Sequence, residues 1–274
     1  MTIKEAINYG IEKLGDIEDK FLKIRILLSF YLNVDKNYLI IHENKILSEK
    51  QENEFKIGID KLANSVPVQY ITGVQEFYGR KFVVNENVLI PRYDTEVLIE
   101  QVLKVAKPGQ KVLDMCTGSG IIAITIEKNV ENLEVYASDI SSDALKVAEK
   151  NAKIHSSKVK FIQSNLFENI QEKDFDIIVS NPPYINKEDM LQLDEQVKKE
   201  PETALYGGKD GLEFYRNITE KSYNFLKNRG CLFFEIGYNQ RKEVSEILEK
   251  NSFRNIECIK DLYGLDRVVY GIKE

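Results

Sequence analysis

The sequence predicts an α/β fold, in which a doubly wound, mostly parallel sheet with an antiparallel edge strand follows a small all-α domain. Three observations carry this prediction. Helical periodicity dominates residues 1–66. Short β-type runs separated by glycines fill residues 67–93. From residue 94 to residue 274, buried apolar runs alternate with amphipathic helical patterns, which is typical of doubly wound sheets.

The first 66 residues contain two helix-start signals. Thr2 with Glu5 and Ser48 with Gln51 each have the spacing of a capping box ahead of apolar residues at helical spacing. A small helical bundle with a solvated charged face explains this pattern. Its functional alternative is a docking module for a macromolecular substrate.

Residues 67–93 change character and predict a β-hairpin linker. Gly73 and Gly79 separate short runs such as Lys81–Val84, and prolines bracket the segment. We therefore predict three parts, the helical domain 1–66, the hairpin linker 67–93 and the sheet domain 94–274.

The sheet domain contains seven candidate strands. The first five, separated by helical patterns, are expected to be parallel, and the last two follow closely enough on each other to form an antiparallel edge. They are Val112–Met115, Val135–Ser138, Val159–Ile162, Phe175–Val179, Cys231–Ile236, Asn255–Ile259 and Arg267–Ile272.

Composition excludes several classes of protein. The net charge of −6 and the pI of about 5.3 are unlike those of a strongly basic nucleic-acid binder. Three cysteines without CxxC spacing and only two histidines argue against a structural zinc site, so we expect no metal. Scattered cysteines, an N-terminus without an apolar signal core and no apolar run of transmembrane length predict a cytoplasmic protein.

A glycine-containing turn follows the first predicted strand and precedes a helical run. Glycines at such a turn let the backbone approach a ligand closely. The second strand ends at Asp139, whose carboxylate can accept hydrogen bonds from both hydroxyls of a ribose. The residues of the turn are Cys116, Thr117, Gly118, Ser119 and Gly120.

The spacing of this turn departs from the GxGxxG pattern of dinucleotide enzymes. A nucleoside ligand without a pyrophosphate needs no phosphate cradle, which favours S-adenosylmethionine. In such a fold the loop after the third strand lies over the adenine, where Asn165 can bond the base and Leu166 can pack on it. The alternatives are a tight turn and an ordinary strand-end loop. Ser119 is no nucleophile candidate, because its flanks lack GxSxG and no histidine is placed to activate it.

The fourth strand runs directly into Asn181-Pro182-Pro183-Tyr184. The two prolines stiffen the loop and remove two N–H donors, so that the Asn181 side-chain oxygen and the Pro182 carbonyl dominate its polar surface. Two acceptors that bind the N–H bonds of a planar amide or amine push electron density back onto its nitrogen. Tyr184 can stack on the planar group. Methyl transfer to such a nitrogen then depends on orientation and hydrogen bonding.

Three rival readings differ in testable features. An N6-adenine-type nucleic-acid amino methyltransferase would share the glycine turn and Asn-Pro-Pro-Tyr, but should also carry a basic groove or a recognition domain, which the sequence lacks. A non-catalytic adaptor would not need both intact motifs. A nicotinamide dehydrogenase predicts a phosphate-binding glycine pattern, which is absent.

Together these residues resemble the bacterial peptide chain release factor glutamine N5-methyltransferases over nearly the whole chain. The similarity is strongest from residue 67 onward, and the segment Ile90-Pro91-Arg92-Tyr93-Asp94-Thr95-Glu96 is more particular to this family than Asn-Pro-Pro-Tyr. Other similar segments are Pro67–Gly73, Glu200-Pro201, Ala204-Leu205, Gly208–Leu212, Glu235–Gly237 with Gln240, and Asp266-Arg267.

The resemblance implies a Rossmann-like class I methyltransferase that methylates the glutamine of the Gly-Gly-Gln motif in class 1 release factors. S-adenosylmethionine would be the donor and S-adenosylhomocysteine the product. The helical domain and the hairpin would hold the release factor, and we expect a monomer that binds neither DNA nor membrane. The implied cofactor contacts are Cys116, Thr117, Gly118, Ser119, Gly120, Asp139, Asn165, Leu166 and Asn181. The implied substrate contacts are Asn181, Pro182, Pro183, Tyr184 and Arg92.

The sequence departs from the family pattern at three positions. Cys116 stands where glycine is usual, so its side chain must point away from the cofactor. Asn165 replaces a common aspartate, and Tyr93 replaces a frequent proline. For Arg92 the alternative role is an ion pair with Glu96. For Glu200, Asp210 and Glu235 the alternative role is to tie loops together.

Overall fold

A computed structural model describes all 274 residues, which form two compact units. One unit comprises Met1–Val74 and Asp194–Lys199, and the other comprises Gln75–Leu193 and Glu200–Glu274. The boundaries predicted after residues 66 and 93 stay predictions. No helix in the structure is long and apolar enough to cross a membrane.

The first unit is helical, as predicted. Both predicted capping boxes are confirmed, because the Thr2 and Ser48 side chains accept from the backbone of Glu5 and Gln51, whose side chains accept in return. These reciprocal bonds satisfy N–H groups that a helix start leaves unpaired. The helices are α1 (Ile3–Leu14), α2 (Lys20–Leu32), α3 (Lys36–Ile41), α4 (Glu49–Ala63) and α5 (Val68–Thr72).

The second unit starts with a two-stranded hairpin and continues as an alternation of helices and strands. The hairpin consists of β1 (Val74–Phe77), which spans the unit boundary, and β2 (Arg80–Val83). The elements that follow are α6 (Thr95–Val105), β3 (Lys111–Met115), α7 (Ile121–Asn129), β4 (Glu134–Asp139), α8 (Ser142–Ile154), β5 (Lys160–Gln163), β6 (Phe175–Ser180), α9 (Lys187–Met190), α10 (Glu213–Ser222), β7 (Leu226–Glu235), α11 (Arg241–Lys250), β8 (Phe253–Lys260) and β9 (Asp266–Lys273).

The seven strands from β3 onward form one sheet in the order β5-β4-β3-β6-β7-β9-β8. The first five of these strands pair in parallel, and β9 pairs antiparallel with both β7 and β8. The predicted fold class is therefore confirmed, including its antiparallel edge. Apolar side chains fill both faces of the sheet, which explains why the strands read as continuous apolar runs.

The strand β7 begins five residues earlier than its apolar run indicated. Leu226 pairs with Phe175 of β6, and the next pair is Cys231 with Ile177, so residues 227–230 lie in a register shift. Lys227, Asn228 and Arg229 are exposed. Because these residues at the start of the strand are polar, the apolar pattern of the sequence did not indicate where β7 begins.

The hairpin is fixed to the second unit by packing and by hydrogen bonds. Phe77 and Phe82 are fully buried in the same cluster as residues of α6 and α7. The Asn151 side chain of α8 accepts from the Val83 amide at 2.7 Å and donates to the Val83 carbonyl at 3.0 Å. The hairpin therefore has a defined position against the layer of helices.

Candidate active site

The predicted motifs converge because of the strand order. The chain runs outward from β3 through β4 to β5, then returns to β6 on the other side of β3. This reversal makes a crevice at the carboxyl ends of β3 and β6, where doubly wound folds bind ligands. The loops that open into this crevice follow β3, β4, β5 and β6.

A pocket of about 410 Å³ lies at these strand ends. Its size falls within the range of small-molecule sites. Of the predicted site residues, seven line it and six do not. The lining ones are Cys116, Gly118, Asp139, Asn165, Leu166, Asn181 and Pro183, and the others are Thr117, Ser119, Gly120, Pro182, Tyr184 and Arg92.

Thr117 faces the protein interior beneath the glycine turn. Its hydroxyl donates to Asp114 Oδ2 at 2.5 Å, and the same oxygen accepts from the Ala123 amide at 3.1 Å. Burial raises the pKa of Asp114 to about 7, although both hydrogen bonds oppose the rise. Asp114 thereby ties the end of β3 to the first turn of α7.

Ser119 and Gly120 serve packing in this structure. The Ser119 carbonyl accepts from Asn151 Nδ2 at 2.9 Å. Gly120 has φ +81°, and a Cβ there would lie 3.0 Å from the Cβ of Ala148. Glycine at this position therefore lets α7 and α8 approach closely.

Cys116 adopts a left-handed backbone with φ +62°, which explains why glycine suits its position. The Cys116 side chain packs in part against the apolar cluster beneath the turn. Burial raises the pKa of the thiol. The residue is half-buried and also lines the pocket, so the expectation that its side chain points away from a cofactor stays a prediction.

Asp139 holds the two sides of the pocket floor together. Its Oδ2 accepts from the Gly118 amide at 2.8 Å, and its Oδ1 accepts from the Ser141 amide at 2.9 Å. Each carboxylate oxygen has a further lone pair, so the group can also accept from a ligand. Burial raises the pKa of Asp139 against the effect of these bonds.

The loop after β5 presents Asn165 and Leu166 to the pocket. Asn165 Nδ2 donates to Glu168 at 2.9 Å, which leaves its side-chain oxygen for other partners. Leu166 has φ +49°, and its carbonyl accepts from the Ser164 hydroxyl at 2.6 Å. These local bonds set the loop without using the acceptor that a base would need.

Asn181 stands at the end of β6, on the pocket wall. The preceding residue is anchored, since the Ser180 hydroxyl donates to the Met115 carbonyl of β3 at 2.7 Å. The Asn181 Nδ2 donates to Thr95 Oγ1 at 3.4 Å, at the start of α6. The carboxamide is therefore held from behind by its nitrogen.

Pro182 and Pro183 are buried, and only Pro183 lines the pocket. The Tyr184 side chain packs against the apolar cluster below the sheet end rather than lining the pocket, and burial raises the pKa of its phenol. The stacking role predicted for Tyr184 stays a prediction. The Tyr184 carbonyl accepts from Gln240 Nε2 at 3.0 Å.

Arg92 forms an ion pair with Glu200 at 2.5 Å, not with Glu96. Glu200 Oε2 also accepts from the Ile90 amide at 2.9 Å, while Glu96 accepts from the Tyr78 amide of the hairpin. Buried Glu200 therefore binds both the Ile90 amide and the Arg92 side chain. It connects the segment before α6 to the segment around residue 200. Asp210 connects its loop to α10, because its two carboxylate oxygens accept hydrogen bonds from the Arg216 guanidinium, each at 2.9 Å.

The pocket wall includes residues that were not predicted, of which two stretches lie apart from the predicted motifs. The others are Met115, Ser138, Ile140, Ser141, Ala144 and Ser164, at or near the strand ends. Residues 87–89 form one side, and several residues between 201 and 214 form another. Both stretches adjoin or overlap the segments that resemble the family. That resemblance was the only feature of the sequence that could have indicated a role for them in the site. The second set comprises Pro201, Glu202, Thr203, Ala204, Tyr206, Gly208, Glu213 and Phe214.

The pocket fits a nucleoside cofactor of the predicted kind. A Cβ built on Gly118 would meet no atom within 4 Å, so the turn leaves open space beside the backbone. Asp139 supplies an acceptor in the same wall, and the surface of the pocket is mostly apolar. No three side chains of the histidine, cysteine, aspartate and glutamate types come together as a metal site would require.

Comparison with known proteins decides the family. The profile for the Methyltransferase small domain matches residues 93–209, and the profile for the PrmC N-terminal domain matches residues 5–73. The release factor glutamine methyltransferase of Clostridium botulinum is 39% identical over 98% of both chains. That of Clostridium acetobutylicum is 40% identical over 100% of this chain and 99% of the relative.

The chain belongs to the release factor glutamine methyltransferase family. This confirms the resemblance found in the motifs. A methyltransferase of Pyrococcus furiosus has the same fold, with a TM-score of 0.57 and 19% identity over 72% of this chain and 90% of that one. The family assignment rests on the full-length relatives, which span both the helical unit and the sheet unit.

Proposed function

We propose that this member of the release factor glutamine methyltransferase family transfers a methyl group to the side-chain amide nitrogen of the glutamine in the Gly-Gly-Gln motif of class 1 release factors. The observation that carries the proposal is the position of Asn181. Its carboxamide lies at the end of β6, on the wall of the pocket that Gly118 and Asp139 also line. The side chain proposed to bind the amide and the residues proposed to bind the cofactor therefore line the same cavity.

The residues proposed to hold the cofactor are those at the ends of β3, β4 and β5. S-adenosylmethionine supplies an electrophilic methyl group when bound. Asp139 accepts from its ribose, the backbone at Gly118 permits close approach, and Asn165 with Leu166 contacts the base. Cys116 contributes its backbone, because its side chain packs in part against the apolar cluster beneath the turn. The turn is held in place by contacts on the side away from the pocket, which are made by Thr117, Ser119 and Gly120.

The Asn-Pro-Pro-Tyr loop is proposed to bind and orient the methyl acceptor. The Asn181 side-chain oxygen, on the pocket wall, and the Pro182 carbonyl, next to it in the chain but outside the pocket lining, are proposed to accept from the two N–H bonds of the glutamine amide. This grip keeps the nitrogen lone pair directed at the methyl donor and less delocalised into the carbonyl. The amide proton becomes acidic as the N–C bond forms, so no strong base is required.

The helical unit is proposed to bind the release factor outside the pocket, as the resemblance implies. The substrate is a protein, and a single glutamine in a pocket offers little contact area for recognition. We expect the protein to act as a monomer on one release factor at a time.

The first prediction concerns Asn181→Ala. Loss of one transition-state acceptor is expected to lower the rate of methyl transfer by about 10²–10³. The purified protein is incubated with labelled S-adenosylmethionine and unmodified release factor, and the methyl group is located by mass spectrometry. Asn129→Ala, at the end of α7 and bonded only to the Thr125 carbonyl, is the matched control and should keep the wild-type rate.

The outcomes separate the candidates. Label on the Gly-Gly-Gln glutamine, lost in Asn181→Ala while cofactor binding persists, supports the proposal. Absence of label on the release factor, with label on parallel DNA or RNA samples, would instead establish a nucleic-acid amino methyltransferase.

A further inference from the structure

A buried carboxylate lies directly behind the Asn181 carboxamide. Glu235 ends β7, the strand next to β6, and only 1% of it is exposed. Thr95, at the start of α6, is also 1% exposed. In the register of β6 and β7, Ser180 lies opposite Phe234, so Asn181 follows beside Glu235. The Thr95 and Asn181 side chains are the nearest neutral polar groups that act on the Glu235 carboxyl, and Asn181 Nδ2 donates to Thr95 Oγ1 at 3.4 Å. Three elements of the sheet unit thus meet at one cluster.

The chemistry of the cluster dictates the orientation of Asn181. An ionised carboxylate only accepts hydrogen bonds, so it selects the NH₂ end of the carboxamide. The two ends of an asparagine amide have nearly the same size, and sterics alone therefore do not distinguish them. With the NH₂ held toward Thr95 and Glu235, the side-chain oxygen is directed away from this cluster.

Glu235 has no role in methyl transfer as proposed, although burial of a carboxylate costs free energy. Its Oε2 is buried and has no hydrogen-bond partner. The charged or titratable groups around it are Arg267, Asp94, Tyr184 and Tyr215, and Arg267 pairs with Asp94 and Asp261 at 3.1 Å. Arg267 is therefore shared among carboxylates rather than dedicated to Glu235.

We propose that Glu235, together with Thr95, is a positioning residue that fixes the Asn181 carboxamide with its oxygen toward the methyl-accepting nitrogen. The inference rests on the function proposed for Asn181. Glu235 acts through Asn181 and touches neither substrate nor cofactor. Supporting residues of this kind commonly change activity by 10-fold to 100-fold when they are replaced.

The test compares Glu235→Gln, Thr95→Val and Thr95→Ser with the wild type under saturating cofactor and release factor. We expect Glu235→Gln and Thr95→Val to lower kcat by about 10-fold to 100-fold with KM for both substrates nearly unchanged. Thr95→Ser keeps the hydroxyl and should retain most of the activity. Thr219→Val removes an equally buried hydroxyl that has no hydrogen-bond partner, and should have no effect on kcat.

The pH profile separates orientation from simple structural support. Burial raises the pKa of Glu235 to about 7, so the wild-type kcat should rise with pH and reach half its limit near that value. Glu235→Gln cannot ionise and should lose this rise. A folded Glu235→Gln variant with wild-type kcat and an unchanged profile overturns the inference.

A substrate-independent measurement distinguishes failure of the inference from failure of the proposed function. The side-chain NH₂ signals of Asn181, identified by their absence in Asn181→Ala, are followed by NMR between pH 5 and pH 9. In the wild type they should shift with a midpoint near 7 and exchange slowly with solvent. The inference is overturned if the Asn181 NH₂ signals change neither with pH nor in Glu235→Gln. The proposed function is overturned if the wild-type protein leaves the release factor unmethylated.

Discussion

At the scale of single residues, Asp139 has a double task. One carboxylate oxygen accepts from the Gly118 amide, and the other accepts from the Ser141 amide at the start of α8. The sequence predicted only an acceptor for a ribose. The structure adds that the same group fixes the turn against which the proposed cofactor lies, so binding and local order depend on one side chain.

Asp139→Asn is predicted to weaken cofactor binding. An asparagine keeps one acceptor but places an NH₂ group against an N–H donor, and hydrogen bonds to charged groups contribute about 1.5–3 kcal/mol each. We therefore expect the Kd for S-adenosylmethionine to rise on the order of 10-fold to 100-fold by calorimetry. Asp143→Asn, an exposed change in the first turn of α8, is the control. An unchanged Kd for Asp139→Asn would remove this residue from the cofactor site.

At the scale of elements, the loop from residue 205 to residue 211 braces the Asn-Pro-Pro-Tyr loop. The Ile185 amide donates to the Leu205 carbonyl at 2.9 Å, and the Gly207 amide donates to the Ile185 carbonyl at 2.8 Å. A Cβ at Gly207 would lie 2.6 Å from the Tyr184 Cα. The two loops thus pack backbone against backbone, which only glycine permits.

Gly211→Ala is predicted to displace this brace. Gly211 has φ +74°, and an added Cβ would overlap the Tyr184 carbonyl oxygen and crowd Gln240 Nε2. Because small misplacements of binding groups are costly, we expect kcat to fall on the order of 10-fold to 100-fold. Gly109→Ala is a matched control, with φ +83° and no atom within 4 Å of the added Cβ. A lower kcat in folded Gly211→Ala, with wild-type kcat in Gly109→Ala, would confirm the brace, and an equal kcat in both variants would contradict it.

At the scale of the whole molecule, two buried carboxylates couple stability to pH. Burial raises the pKa of both Asp114 and Glu235 to about 7. Below the ordinary carboxyl pKa both groups are protonated in the folded and unfolded states. As pH rises toward 7 the unfolded chain releases these protons first, so the free energy of unfolding falls.

Glu235→Gln is predicted to remove one part of this pH dependence. One pKa unit corresponds to about 1.4 kcal/mol, so a rise from 4.5 to about 7 makes wild-type stability fall by about 3 kcal/mol across that interval. The variant should therefore gain up to about 3 kcal/mol relative to the wild type between pH 4.5 and pH 8. Urea unfolding followed by circular dichroism measures the difference. A constant difference across this range would show that Glu235 does not hold its proton in the folded state.

The sequence by itself determined the fold class, the helical start of the chain, the order of the seven strands and the motif positions. It did not predict the short helix α5 (Val68–Thr72), which lies in the segment where β-type runs were expected. Hydrophobic periodicity, two capping boxes and glycine turns are local properties, and each was recovered within a few residues, except at β7, where exposed polar residues interrupt the apolar pattern. The family also followed from contiguous motifs. Such features depend on neighbouring residues along the chain, so they can be read without coordinates.

Only the tertiary structure decided which side chains meet. Glu235, Thr95 and Asn181 come from three distant segments, and their contact depends on β7 lying beside β6 and on where α6 begins. The choice of Glu200 over Glu96 as partner of Arg92 is likewise a matter of packing. Spacing along the chain carries no record of such contacts, because burial and strand order set which charge lies nearest to which.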